Sequence, residues 1–416
     1  MLDFQVKTKL LDQSAYQALS LLIKGQAVTE HFTDEHVLGT EIIVDPLPLA
    51  EWFAANWWRL RWEPEKEGLN AQQQLDWDLS HKLASVASGF IWPDVTLTSD
   101  DLTIHCLARQ TSGVFCTIKF TRSLSEWLHA AQFEAGVDEF INQQASEHPN
   151  SNLASLWQEI SEERQNTEAT QWRKLEAKLG FDSDEAPEAL IIGLQDYYGV
   201  FGESSVEELS SETQQPDLLV LAAKLCKALN SETTAIFNPD LAGIVGDEGQ
   251  QDTQWVVPWK HAAEKAARLR SKLGVQAERC LENRILLDYL SLNEGFMESN
   301  PLDGLPSSGL KITPEKARVV LGRGWETTRR FTLARLLGDL IYTYLSKSSD
   351  LLSITHSKTS RQKFQRAFAQ ELLCPYQGLL AVMETSNPTE EKLEQAAKHF
   401  NVSPLTVGYT LENNRV

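Results

Sequence analysis

"RRFTLARLLGDLIY", Arg329 to Tyr342, is the stretch whose reading decides the fold. It reads as a helix, and it sets Arg335 and Asp339 four residues apart on one face. A buried cation is costly without a partner, and Asp339 is the nearest carboxylate in sequence. The expectation is a partly buried Arg335–Asp339 ion pair that staples this helix in place.

The surroundings of the helix are basic. Residues 311–370 hold twelve Lys or Arg against four Asp or Glu. The chain as a whole carries a net charge of −20, made of −24 over residues 1–260 and +4 over residues 261–416. The acidic part repels nucleic acid. The basic part suits an anion, an acidic protein, or the acidic half of the same chain. Arg329, Arg330, Arg335, Lys358, Arg361, Lys363 and Arg366 are candidates for an anion- or partner-binding surface, with His356 the only histidine near them. The Ser/Thr-rich, basic segment "SITHSKTSRQKFQR" (Ser353–Arg366) supplies most of them.

The chain has 416 residues, of which 42% are hydrophobic, enough for two or three domains with real cores. No stretch reaches the about 20 apolar residues that cross a bilayer, so no membrane partner is expected. The start "MLDFQVKTKLLDQ" is charged throughout, which argues against an export signal and for a cytoplasmic protein. The five cysteines (Cys106, Cys116, Cys226, Cys280, Cys374) are odd in number and widely spread, and read as reduced thiols.

Four segments follow from pattern. Residues 1–122 read as a Trp-rich α+β domain. In it "VLGTEIIV" (Val37–Val44) is a strand, Pro48 opens a helix, and "LTIHCLARQTSGVFCTIKF" (Leu102–Phe120) is a hairpin around Thr-Ser-Gly. Six of the twelve tryptophans lie between Trp52 and Trp92. No repeating aromatic–basic pattern accompanies them, so they read as core rather than as a ring-binding pocket. Residues 123–230 read as an acidic helical region, opened by a Ser123–Glu126 capping box. Residues 231–254 are polar and aperiodic and read as a linker. A fresh helix starts at Pro258, inside a C-terminal domain over 255–416.

That last part resembles the ImmA/IrrE family of bacterial metallopeptidase-like proteins. Three landmarks carry the resemblance. "RRFTLARLLGD" is similar to the family's RFTLAHELGH. "RQKFQRAFAQELLCP" (Arg361–Pro375) is similar to ExEANxFAAELLMP. The ending "LEQAAKHFNVSPLTVGYTLENNRV" is similar to LAxxFxVSxxAVxxRL. The resemblance implies a mostly helical, zincin-like domain. Zinc chemistry of this type needs two His at i and i+4, a Glu beside the first, and a third acidic ligand. By the resemblance, the first ligand falls at Arg335, the general base at Leu336 and the second ligand at Asp339. The third falls at about Gln362 to Phe364. Arginine stays protonated and leucine cannot activate water. The expected fold is therefore multi-domain α+β with a degenerate former metal site at Arg335, Leu336 and Asp339, no catalytic residues and no cofactor.

The ending reads as helix, turn, helix, with Ala396 inward, Val402 after the turn and Ser403 as cap. Its second helix offers no Lys or Arg before Arg415, so it reads as packing rather than as a DNA reader. No phosphate loop, dinucleotide fingerprint or nucleophile elbow is present. The expected function is a pseudo-peptidase that regulates or scaffolds through protein contacts, in the stress-response or phage-defence setting that the resemblance implies. The alternatives are a zinc-peptidase-like enzyme, an enzyme with its site in the N-terminal domain, and a DNA-binding transcriptional regulator. The expected partner is a protein, with a small anion or nucleic acid as the alternatives.

Overall fold

The computed structural model describes residues 2–11, 16–33, 37–86, 88–111, 117–212, 218–231, 234–245, 257–298, 305–346, 350–385 and 388–413. The protein mixes α and β structure, with a β-rich N-terminal region and a helical C-terminal part. It divides into two compact units, Met1–Ile191 with Ser357–Thr359, and Ile192–His356 with Ser360–Val416. Among the described residues, no helix is long and apolar enough to cross a membrane.

The first unit holds three small antiparallel sheets. The largest is built on Phe4–Leu10 paired along its whole length with Gln17–Ile23. Trp52, Trp57, Trp58 and Trp92 are buried in one core with Phe4, Phe53 and Phe133. The aromatic cluster is thus packing. Trp57 meets Trp157 edge to face at 5.5 Å, a favoured aromatic geometry.

Local pattern located the strand Thr103–Arg109 but not its partners. Thr103–Arg109 does not form a hairpin with Ile118–Phe120. It pairs with Asp94–Ser99 on one side and Leu124–His129 on the other, while Ile118–Phe120 pairs with His31–Thr33. The tight turn lies one strand earlier, where Asp100 Oδ1 accepts from the Leu102 and Thr103 amides and Asp101 has φ 81°. Asp100 ties the turn to its own backbone, and an aspartate such as Asp101 tolerates the left-handed conformation. The Ser123–Glu126 capping box is likewise replaced. Leu124–His129 is a strand, Ser123 Oγ accepts from the Gln110 amide, and the helix begins at Ala130 with His129 as cap. Val37–Val44 is broken into Leu38–Gly39 and Ile42–Val44. Cys116 and Arg415 lie outside the described residues.

The second unit is built around one antiparallel sheet in the spatial order Ala235–Phe237, Ala317–Val320, Ser308–Lys311, Leu351–Ser353. Its first strand comes from the stretch that reads as a linker, where Phe237, Leu241 and Ile244 are fully buried. The helix Ser360–Leu373 packs against both Pro258–Lys272 and Glu326–Ser346. One continuous core joins these helices to the sheet and to the terminal pair Glu390–Phe400 and Pro404–Asn413. Ala396 and Val402 are buried, and Ser403 Oγ accepts from the Thr406 amide as the cap its sequence promised.

Candidate functional site

The middle of Glu326–Ser346 is buried on every side, from Leu333 through Ile341. A helix buried all round has no solvent face on which to place a charge. Arg335, at 8% exposure, and Asp339, at 0%, are therefore embedded groups that need partners. Gly338 lies between them, and a Cβ there would stand 3.0 Å from Phe368 Cδ1, so the glycine lets Ser360–Leu373 pass closely. Leu336 is wholly buried in the core.

The two charges do not pair with each other. Asp339 is held by Arg361, across from it on Ser360–Leu373. Arg361 Nε donates to Oδ1 and Nη2 to Oδ2, each at 2.7 Å, and the Ser353 amide donates to Oδ2 at 2.9 Å. This two-pronged fork outbids the intrahelical neighbour because it satisfies both carboxylate oxygens at once. Burial opposes the Arg361 charge, yet Asp339 more than offsets it and the guanidinium pKa rises.

Arg335 finds only neutral oxygen. Its Nη2 donates to the Thr355 carbonyl at 3.0 Å and to the side-chain oxygens of Gln362 and Gln365. Burial, reinforced by Arg366, pushes its pKa down to about 9 against the pull of Asp339, Glu208 and Glu212. Gln362 and Gln365 turn their amide nitrogens the other way, both onto the Ser353 carbonyl at 2.9 and 3.0 Å. The guanidinium, two amides and the end of the strand Leu351–Ser353 thus form one polar knot.

Residues missed by the sequence reading complete it. The helix Glu203–Ser210 brings Ser205, whose hydroxyl donates to the Leu351 carbonyl at 2.8 Å. Glu208, 3% exposed, accepts from Thr355 Oγ1 at 3.0 Å. Just beyond the helix, Glu212 accepts from the His356 amide at 2.8 Å and from its Nδ1 at 2.9 Å. The only signal for them in the sequence is the i, i+4 spacing of two carboxylates in an acidic stretch. Part of the acidic half does therefore meet the basic segment within this unit.

The remaining candidates stand elsewhere. Arg330 is fully buried and donates to Asn283 Oδ1 and the Leu281 carbonyl. Arg329 donates to the Phe296 carbonyl at 3.4 Å. Lys363 sits 6.0 Å above the Trp259 ring. Lys358 belongs to the short segment grouped with the first unit and pairs there with Glu65 at 2.9 Å. Arg366 donates to the Thr355 carbonyl at 3.3 Å, beside Arg335. The structure gathers Arg335, Arg361, Arg366 and His356, not all of the candidate cations.

The hydrogen bond to Glu212 raises the His356 pKa, against desolvation and the nearby Arg335 and Arg366 charges. A raised imidazole pKa stabilises the fold below about 6.5, the unfolded value, and that stabilisation is lost as pH climbs through the folded value. The ring is 81% exposed, so the gain is at most about 1 kcal/mol. His356→Ala keeps the backbone bond and removes only the ring. Its melting temperature is expected to fall slightly below wild type at acid pH and to match it at pH well above neutrality.

Zinc, the metal that the resemblance implies, does not fit these residues. Arg335, where the resemblance expects the first ligand, is a cation, and both Asp339 oxygens are taken by Arg361. Among the described residues, no group of three or more His, Cys, Asp or Glu could hold a metal ion.

Comparison with known proteins finds one family likeness, in the C-terminal part of the chain. Residues 306–412 match the family model of the IrrE N-terminal-like domain, a span that contains Arg335, Asp339, Gln362 and both site helices. No curated protein and no solved structure matches the chain. The C-terminal part of the chain accordingly carries an ImmA/IrrE-like domain of the metallopeptidase type.

Proposed function

We propose that this protein is a regulatory or scaffolding protein that works through protein contacts, and that its ImmA/IrrE-like domain is a pseudo-peptidase built on a former metal site. One observation supports the reading: the Arg335 guanidinium, where the resemblance expects the first zinc ligand, donates to Gln362, at the start of the Gln362 to Phe364 stretch where it expects the third. Peptide hydrolysis of this class needs a metal-activated water and a carboxylate base. Leu336, wholly buried, stands in the base position. A bacterial stress-response or phage-defence setting is the one that the family suggests. A DNA-reading role has less support, because Pro404–Asn413 offers no Lys or Arg to phosphate.

The test is metal analysis of protein purified without chelators, joined to a melting curve with and without EDTA. The expected result is zinc far below one equivalent per chain and an unchanged melting temperature, since a structural metal would contribute folding energy. Stoichiometric zinc, or chelator-sensitive cleavage of a peptide library, overturns the reading.

A further inference from the structure

Among the described residues, the strand Leu351–Ser353 ends its sheet, so one of its edges has no strand beside it. Its register pairs Leu352 with Gly309, which turns the backbone groups of Leu351 and Ser353 outward. Such an edge is where an extended peptide can add. Here side chains occupy it. The Ser353 amide is taken by Asp339, its carbonyl by Gln362 and Gln365, and the Leu351 carbonyl by Ser205 and Arg361.

The element that lies along this edge is acidic. Glu203–Ser210 packs against Leu351–Ser353, and with Glu212 it brings two carboxylates onto Thr355 and His356. Arg335 feels both carboxylates, and Arg361 feels Glu208. Arg361 also touches this helix directly, donating from Nη1 to Ser205 Oγ at 3.3 Å, and the exposed His356 ring meets Glu212 just beyond it. The helix is also detachable on packing grounds. Its buried apolar residues, Val206 and Leu209, stand outside the continuous core that holds the sheet and the site helices. Satellite packing of this kind opens at a lower free energy than a core element.

We infer that the surface beneath Glu203–Ser210 is a docking site for an acidic segment of a partner protein, and that the chain's own acidic helix is its resident occupant, to be displaced when the partner binds. The inference rests on the reading that the domain works by contact, and it names the contact. Charge complementarity selects the partner. Two carboxylates four residues apart, as in Glu208 and Glu212, are what these cations match.

The experiment uses the full chain and a fluorescent peptide of residues 203–212, ESSVEELSSE, as an added competitor. Wild type is compared with Glu208→Gln/Glu212→Gln, which loosens the resident helix and leaves the cations in place. Amide exchange across 203–212 should accelerate in the variant while exchange across 326–346 stays as in wild type. The labelled peptide should bind the variant about tenfold more tightly, because a site mostly closed by its own occupant loses apparent affinity in proportion to its open fraction. Adding Arg366→Gln should abolish the gain. Glu212→Gln alone, outside the helix, serves should the double variant unfold, and should show the same changes in smaller measure. Unchanged exchange in 203–212 would sink the resident-occupant idea. Equal or absent peptide binding in wild type and variant, or equal binding of a peptide with Glu208 and Glu212 changed to glutamine, would sink the docking site. Zinc binding or peptide cleavage would overturn the pseudo-peptidase reading and leave the exchange result standing, so the two failures are distinguishable.

Discussion

Arg361→Ala is expected to destabilise the C-terminal unit by about 3–5 kcal/mol, the cost of leaving a buried carboxylate without its partner. The loss should lower the melting temperature of that unit by roughly 10 °C. Asp339 has no exposed surface, and both of its oxygens face the Arg361 fork. After truncation only the Ser353 amide remains to it. Arg361 also caps the outward carbonyl of Leu351, so the strand edge loses a donor in the same step. The companion variant Arg361→Ala/Asp339→Leu separates the two costs. Removing the stranded charge should restore most of the stability, because a buried ion pair and an apolar replacement are often near parity. Thermal or urea denaturation that resolves the C-terminal transition checks both. A shift of no more than about 1 kcal/mol for Arg361→Ala would place the pair in a wetter, weaker setting than its geometry implies.

The contrast between Arg361 and Arg335 also shows how far the sequence could be read. The helix around Arg335 was legible, because its pattern lies along one chain segment. The partner of Asp339 was not. The i, i+4 rule ranks Arg335 first, but that rule describes helix surfaces, where both side chains can swing toward each other over solvent. In a helix buried all round, each group takes the acceptor or donor that the neighbouring element presents, and Arg361 presents a fork. Glu208 and Glu212 were less legible still. They meet Thr355 and His356 across more than a hundred residues of chain. The same limit governed the sheets of the first unit. Alternation located Thr103–Arg109 as a strand, but not that its partners are Asp94–Ser99 and Leu124–His129, because register and partner depend on the whole sheet.

Arg335→Met is the second large effect, and it is expected to cost less than Arg361→Ala, about 1–3 kcal/mol. The two substitutions remove the same charge from the same polar knot, so the difference lies in what each charge leaves behind. Arg361 leaves an anion. Arg335 leaves the carbonyl of Thr355 and the side-chain oxygens of Gln362 and Gln365. Gln362 Oε1 keeps a bond from the Thr355 amide at 3.2 Å, which softens the loss. Burial already works against the Arg335 cation, as its pKa near 9 records, so removing the charge relieves a desolvation penalty while it orphans acceptors. Methionine fills the space with an adaptable apolar chain. The measurement is the same pair of denaturation curves, run side by side at neutral pH. Should Arg335→Met prove the more damaging of the two, the guanidinium would be the principal tie across this site, doing alone what a metal does between helices. Should it prove the milder, the tie is the Asp339–Arg361 pair, and Arg335 is a cation held at a strand edge by neutral oxygens, the arrangement that leaves it available to an incoming carboxylate.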